Sequence, residues 1–161
     1  MVTVKSTFPS RRSCLYDVVR PAACLEYRGS SVPYKILIVD DSDLVRRAVR
    51  CCIEQSGEFQ VCGEADNGKV GVEKVQELHP DVVILDFQMP VMNGLEAARQ
   101  IAVLAPRTIM LMLTMHYCEQ LVRDASVAGI RDVLSKSDAI PNHLLAFLKK
   151  LQLHAATFPQ P

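Results

Sequence analysis

The chain has 161 residues, 49% of them hydrophobic, and its eighteen Lys and Arg balance eighteen Asp and Glu. That length suits one well-buried domain and excludes two large ones, while zero net charge removes any general pull toward nucleic acid or an anionic membrane. No run reaches the roughly 18 apolar residues of a membrane span and no signal-peptide pattern opens the chain, so a soluble protein is expected, and cysteines without metal-cluster spacing fit a cytoplasmic compartment.

Residues 1–33 carry five basic side chains (Lys5, Arg11, Arg12, Arg20, Arg28) against two acidic ones (Asp17, Glu26), net +3, which leaves the rest at −3. With Pro9, Pro21, Pro33 and Gly29 and no lasting periodicity, this stretch reads as a poorly ordered leader. From Tyr34 short apolar runs alternate with helical periods, the pattern of βα repeats around a parallel sheet. Ile36–Val39, Val82–Leu85 and Ile109–Leu113 are apolar at every position, as strands buried on both faces should be. The mixed segments Phe59–Ala65 and Ile130–Leu134 read as edge strands. Three central and two edge strands predict an α/β doubly wound, five-stranded parallel sheet of flavodoxin-like order 2-1-3-4-5, with helices on both faces.

Between the strands, Leu44, Val45, Ala48, Val49, Cys52 and Ile53 keep helical spacing, and Gly57 is placed to end that helix. Gly71 weakens the second helix by about 1 kcal/mol relative to Ala. Leu95, Ala98, Ile101 and Ala102 form a third apolar stripe. Leu144, Leu145, Phe147, Leu148 and Leu151 form the last, which Pro141 helps to open. The expected domain is therefore 34–151, with a short tail at 152–161.

The cysteines (Cys14, Cys24, Cys51, Cys52, Cys62, Cys118) have neither C-x-x-C spacing nor zinc-finger histidine partners and read as reduced thiols. Met89, Met92, Met110, Met112 and Met115 read as core and loop packing. His79, His143 and His154 read as surface or capping residues, and Arg46, Arg47 and Arg50 as a solvated helix face.

In a parallel sheet the C-terminal strand ends share one edge, where ligands bind. Here the first strand ends in Asp40-Asp41, the third in Asp86, the fourth in Thr114, and the fifth runs into Ser135-Lys136. Three converging carboxylates repel one another and raise each other's pKa unless they share a cation. Mg2+ suits such a hard-oxygen site, and with Lys136 it cancels the acids and leaves room for a phosphoryl group. Asp86 is then a carboxylate nucleophile of the type that forms an aspartyl phosphate. Singly, an Asp-Asp after a strand is more often a helix cap; placed jointly at four strand ends, these residues indicate a site.

The segments Lys35-Ile-Leu-Ile-Val-Asp-Asp41, Pro80-Asp-Val-Val-Ile-Leu-Asp86-Phe-Gln-Met-Pro90-Val-Met-Asn-Gly94, Leu113-Thr114 and Ser135-Lys136 resemble the receiver domains of two-component response regulators. The wording from Asp86 to Gly94, with Ala128-Gly129 and Lys136-Ser-Asp138, is most similar to receivers that carry a helix-turn-helix output. The resemblance implies that Asp86 accepts phosphate from a sensor histidine kinase or a histidine phosphotransfer protein. It implies that Asp41 binds Mg2+ directly, Asp40 through water and Gln88 through its backbone carbonyl. Thr114 and Lys136 would contact phosphoryl oxygens, and Gln88 and His116 would tune phosphate loss. It also implies a downstream protein target and a homodimer on phosphorylation, paired through the fourth and fifth or the first and fifth helices.

Two features depart from the pattern. The aromatic residue usual three places before the Lys is Val133, which removes the expected ring of an aromatic-coupled switch. The residues after the last helix are too few for a helix-turn-helix, so no DNA binding is expected of this chain. Two other classes compete with a phosphorylated signalling module. A non-phosphorylated interaction module should lack one of the acids, the Thr or the Lys, and all are present. A phosphatase of the haloacid dehalogenase type needs a second Asp two residues after the nucleophile, where Gln88 stands.

Overall fold

The computed structural model describes residues 33–137 and 140–155. Apart from Pro33, the leader expected over 1–33 lies outside the described residues, as do Cys14, Cys24, Asp138 and residues 156–161.

Five strands alternate with five helices in chain order: β1 (Tyr34–Val39), α1 (Asp43–Gln55), β2 (Phe59–Ala65), α2 (Gly68–Leu78), β3 (Val82–Asp86), α3 (Gly94–Leu104), β4 (Ile109–Thr114), α4 (Glu119–Val127), β5 (Ile130–Ser135) and α5 (Ile140–Ala155). All neighbouring strands pair in parallel, in the order β2-β1-β3-β4-β5 expected from the run patterns. Helix α5 extends beyond Leu151, where the periodicity ended, to Ala155.

Side chains alternate across the sheet, so a central strand must be apolar twice over. Leu37, Val39, Val83, Leu85, Met110 and Met112 enter the core shared with α2, α3 and α4. Ile36, Ile38, Val82, Ile84, Leu111 and Leu113 enter the opposite core, with Val49 and Ile53 of α1 and Leu144, Leu148 and Leu151 of α5. At about 1.5–3 kcal/mol for each large buried side chain, these two layers supply most of the favourable folding energy.

The first helix buries less than its spacing predicts. Val49, Cys52 and Ile53 are buried, whereas Leu44 is 78% exposed and Ala48 is also outside. Two adjacent apolar rows fit the same period, and the packing of α1 selects the row through Val49 and Ile53. Met115, expected to pack, is exposed.

Gly71 has a packing reason: a Cβ there would lie 2.9 Å from Val39 Cγ1, so its absence lets α2 approach β1. His79 caps α2 in the left-handed region at φ 47. Helices α1, α2 and α3 begin at Ser42, Asn67 and Asn93, whose side chains accept from backbone N–H groups three residues on. Such caps stop each helix sharply at the sheet edge and leave the strand-end residues to face one another.

Candidate functional site

The edge at the C-terminal ends of β1, β3, β4 and β5 gathers the residues singled out by position. Among the described residues, Asp40, Asp86 and Thr114 are the buried polar or charged ones, at 3%, 6% and 1% exposure. Such burial is costly for carboxylates unless each is paired. Lys136 reaches in from the end of β5, its Nζ 2.6 Å from Asp40 Oδ2 and 2.9 Å from Asp86 Oδ1. The remaining Asp40 oxygen, Oδ1, accepts from Ser42 N–H at 2.9 Å. Asp86 Oδ1 also accepts from Phe87 N–H at 2.8 Å, so both of these donors bind one oxygen and neither binds Oδ2.

Electrostatics follow from this packing. Burial pushes the Asp86 carboxyl above its usual range; the Lys136 hydrogen bond and charge pull it partly back, and the neighbouring Asp40 charge adds to the rise. For Lys136 burial works against the ammonium, but hydrogen bonds to Asp40 and Asp86 outweigh it and the net shift is upward. The ammonium is therefore a fixed positive charge between two acids.

Asp41 is exposed at the mouth of the site. It completes a group with Asp40 and Asp86 whose ligand oxygens all lie within 4.8 Å of one another. The donor set is all hard oxygen, two of the three acids are buried, and the Asp86 carboxyl is already under charge stress. These features fit a small hard divalent cation such as Mg2+ and do not fit a soft metal.

Thr114 and Lys136 are joined through the backbone, with Lys136 N–H donating to Thr114 O at 2.8 Å. Thr114 Oγ1 accepts from His116 N–H at 3.0 Å, which places the exposed His116 on the rim. Gln88, also exposed, lines an open groove with Asp41, Phe87, Asn93 and Arg99. Thus Asp40, Asp86 and Lys136 are in direct contact, Asp41 and Thr114 border them, and Gln88 and His116 flank the opening. Val133 is buried in the core beneath α4.

A family model described as the response regulator receiver domain matches residues 36–149. The chain belongs to the response regulator receiver family. Its relatives include the chemotaxis protein CheY of Thermotoga maritima, 36% identical over 102 residues, 63% of this chain and 84% of that protein. A protein-glutamate methylesterase/protein-glutamine glutaminase of Pseudoalteromonas atlantica is 42% identical over 105 residues, 64% of this chain. The chain spans only 27% of that relative, whose activities are its own. Among solved structures, the CheX-CheY-BeF3-Mg+2 complex from Borrelia burgdorferi matches with TM-score 0.64 and 27% identity, over 80% of this chain and 92% of that one. This is a receiver domain of two-component signalling, and no helix among its described residues is long and apolar enough to cross a membrane.

One participant escapes sequence reasoning. Arg46, read there as part of a solvated face, has a side chain only 15% exposed and donates to the Asp40 carbonyl oxygen at 2.7 Å. Spacing along α1 shows its i,i+3 partner Asp43 but gave no signal for the other two, because Glu64 lies on β2 and Asp40 at the end of β1.

Proposed function

We propose that this receiver takes a phosphoryl group on Asp86 from the phosphohistidine of a histidine kinase or histidine phosphotransfer protein. The observation that carries the reading is the buried Asp40–Lys136–Asp86 bridge at the sheet edge, with Asp41 completing the acid group. Asp86 Oδ2, which neither Lys136 nor Phe87 N–H occupies, is the attacking oxygen. A bond forms from it to phosphorus as the phosphorus–nitrogen bond of the donor breaks, and the departing imidazole keeps the electron pair. Lys136 and Thr114 hold the phosphoryl oxygens, so the chain contributes positioning and charge neutralisation.

Asp41, Asp86, the Gln88 carbonyl and, through water, Asp40 would hold Mg2+, which supplies charge neutralisation on the transferring group. The Borrelia burgdorferi complex, which contains BeF3 and Mg+2, supports this for a related chain. The modified surface is then read by a downstream protein or a second copy of the chain. Cys51, Cys62 and Cys118 carry reduced thiols, which accords with work in the cytoplasm.

Intact mass after incubation with acetyl phosphate and Mg2+ tests the proposal. Wild type should gain about 80 Da, and Asp86→Asn or chelated wild type should not. A wild type that binds Mg2+ yet gains no mass, with rapid turnover excluded by trapping, would leave the non-phosphorylated interaction module as the better reading.

A further inference from the structure

Arg46 lies in the first turns of α1, yet two of the three contacts of its guanidinium reach beyond that helix. Nη1 donates to Asp40 O at 2.7 Å, Nε to Glu64 Oε2 at 3.2 Å, and Nη2 reaches Asp43 Oδ1 at 3.3 Å. Glu64 is itself braced: its Oε1 accepts from Arg50 Nε at 2.6 Å, and its backbone carbonyl accepts from Lys74 Nζ. The guanidinium is thus fixed from β2 while it grips the end of β1.

The gripped atom matters. The Asp40 carbonyl belongs to the rigid peptide plane that leads into Asp41, and on its other side Asp40 N–H donates to Ala65 O at 3.0 Å. With Asp40 held at both backbone ends, the orientation of that plane sets how Asp41 leaves the strand. It also sets how Asp41 stands relative to Asp40 and Asp86.

We infer that Arg46 is a positioning residue for the divalent cation, acting through the Asp40 carbonyl and braced by Glu64. This rests on the reading of Asp40, Asp41 and Asp86 as a Mg2+ site. The hydrogen bonds of Arg46 go to Glu64, Asp43 and the Asp40 backbone, and none goes to a carboxylate of Asp40, Asp41 or Asp86. Its rigid fork is suited to hold a carbonyl and a carboxylate at once, which a lysine ammonium cannot do equally well.

The competing account is that Arg46 only staples α1 to β2. A staple changes stability and leaves the cation affinity of the folded protein unchanged, whereas a positioning residue changes that affinity. Calorimetric titration of the full chain with Mg2+ separates them, run on wild type, Arg46→Met, Arg46→Lys and Glu64→Gln, with urea unfolding to establish the folded fraction. Arg46→Met should weaken Mg2+ binding about tenfold, as loss of an outer support does at other metal sites. Arg46→Lys should recover part of this, and Glu64→Gln should lose less, because Arg46 still reaches Asp40 O. Folded Arg46→Met with wild-type affinity would overturn the inference. If that variant does not fold, Arg46→Lys decides alone: reduced affinity supports the role and unchanged affinity refutes it. Failure of wild type to bind Mg2+ would instead overturn the underlying site reading.

Discussion

Gly94 is where packing of the fold and of the site are hardest to separate. It begins α3 eight residues after Asp86, and its N–H donates to Phe87 O at 3.0 Å. A Cβ at Gly94 would lie 2.1 Å from Asp86 O, 3.0 Å from Asp86 C and 3.2 Å from Phe87 Cα, well inside the 3.4 Å at which ordinary contact begins. All three are backbone atoms, so no side chain can rotate away. Overpacking of this kind costs about 3 kcal/mol, the upper end of the usual range. The better helix propensity of Ala returns at most about 1 kcal/mol. Gly94→Ala should therefore lose about 2 kcal/mol, a fall in melting temperature of roughly 6 °C. Urea and thermal unfolding measure it directly. The relief must come from the Asp86 backbone and the start of α3 moving apart, so phosphoryl uptake from acetyl phosphate should slow even where the variant is fully folded. A Gly94→Ala protein as stable as wild type, or one that is destabilised but takes up phosphate at the wild-type rate, would refute the reasoning.

In chelator, Asp86→Asn should be more stable than wild type at neutral pH. Burial raises the folded carboxyl above its unfolded value, so ionisation opposes folding; the advantage should shrink as pH falls through the carboxylate range, and a pH-independent difference in urea midpoint would contradict this. Val91, a β-branched residue held at φ 69 and 81% exposed, should gain about 1 kcal/mol in Val91→Gly, since left-handed backbone costs an L-residue about 1–2 kcal/mol and glycine's added freedom offsets part of the relief. An unchanged unfolding midpoint would show that the loop carries no such strain. Leu148→Ala should cost about 2–5 kcal/mol because Leu148 is fully buried between α5 and the sheet. The exposed Leu44→Ala should stay within about 0.5 kcal/mol, and similar losses at the two positions would mean that α1 packs on its other row.

Local patterns in the chain were enough for the strand order and for the acids at the strand ends. A strand buried on both faces must be apolar at every position, so Ile36–Val39, Val82–Leu85 and Ile109–Leu113 marked the sheet centre. A parallel sheet gathers whatever follows its strands at one edge, so strand order alone puts Asp40, Asp86, Thr114 and Lys136 together. Tertiary structure decided what depends on partners far apart in the chain. Whether α1 packs through Leu44 or through Val49 and Ile53 is degenerate in its period and is settled only against the sheet. That Gly71 admits β1, that Lys136 joins Asp40 to Asp86, and that Arg46 turns from solvent to grip Asp40 and Glu64 are facts of distance between separate elements. No local periodicity encodes them, because each depends on side chains that only folding brings within hydrogen-bond or contact range.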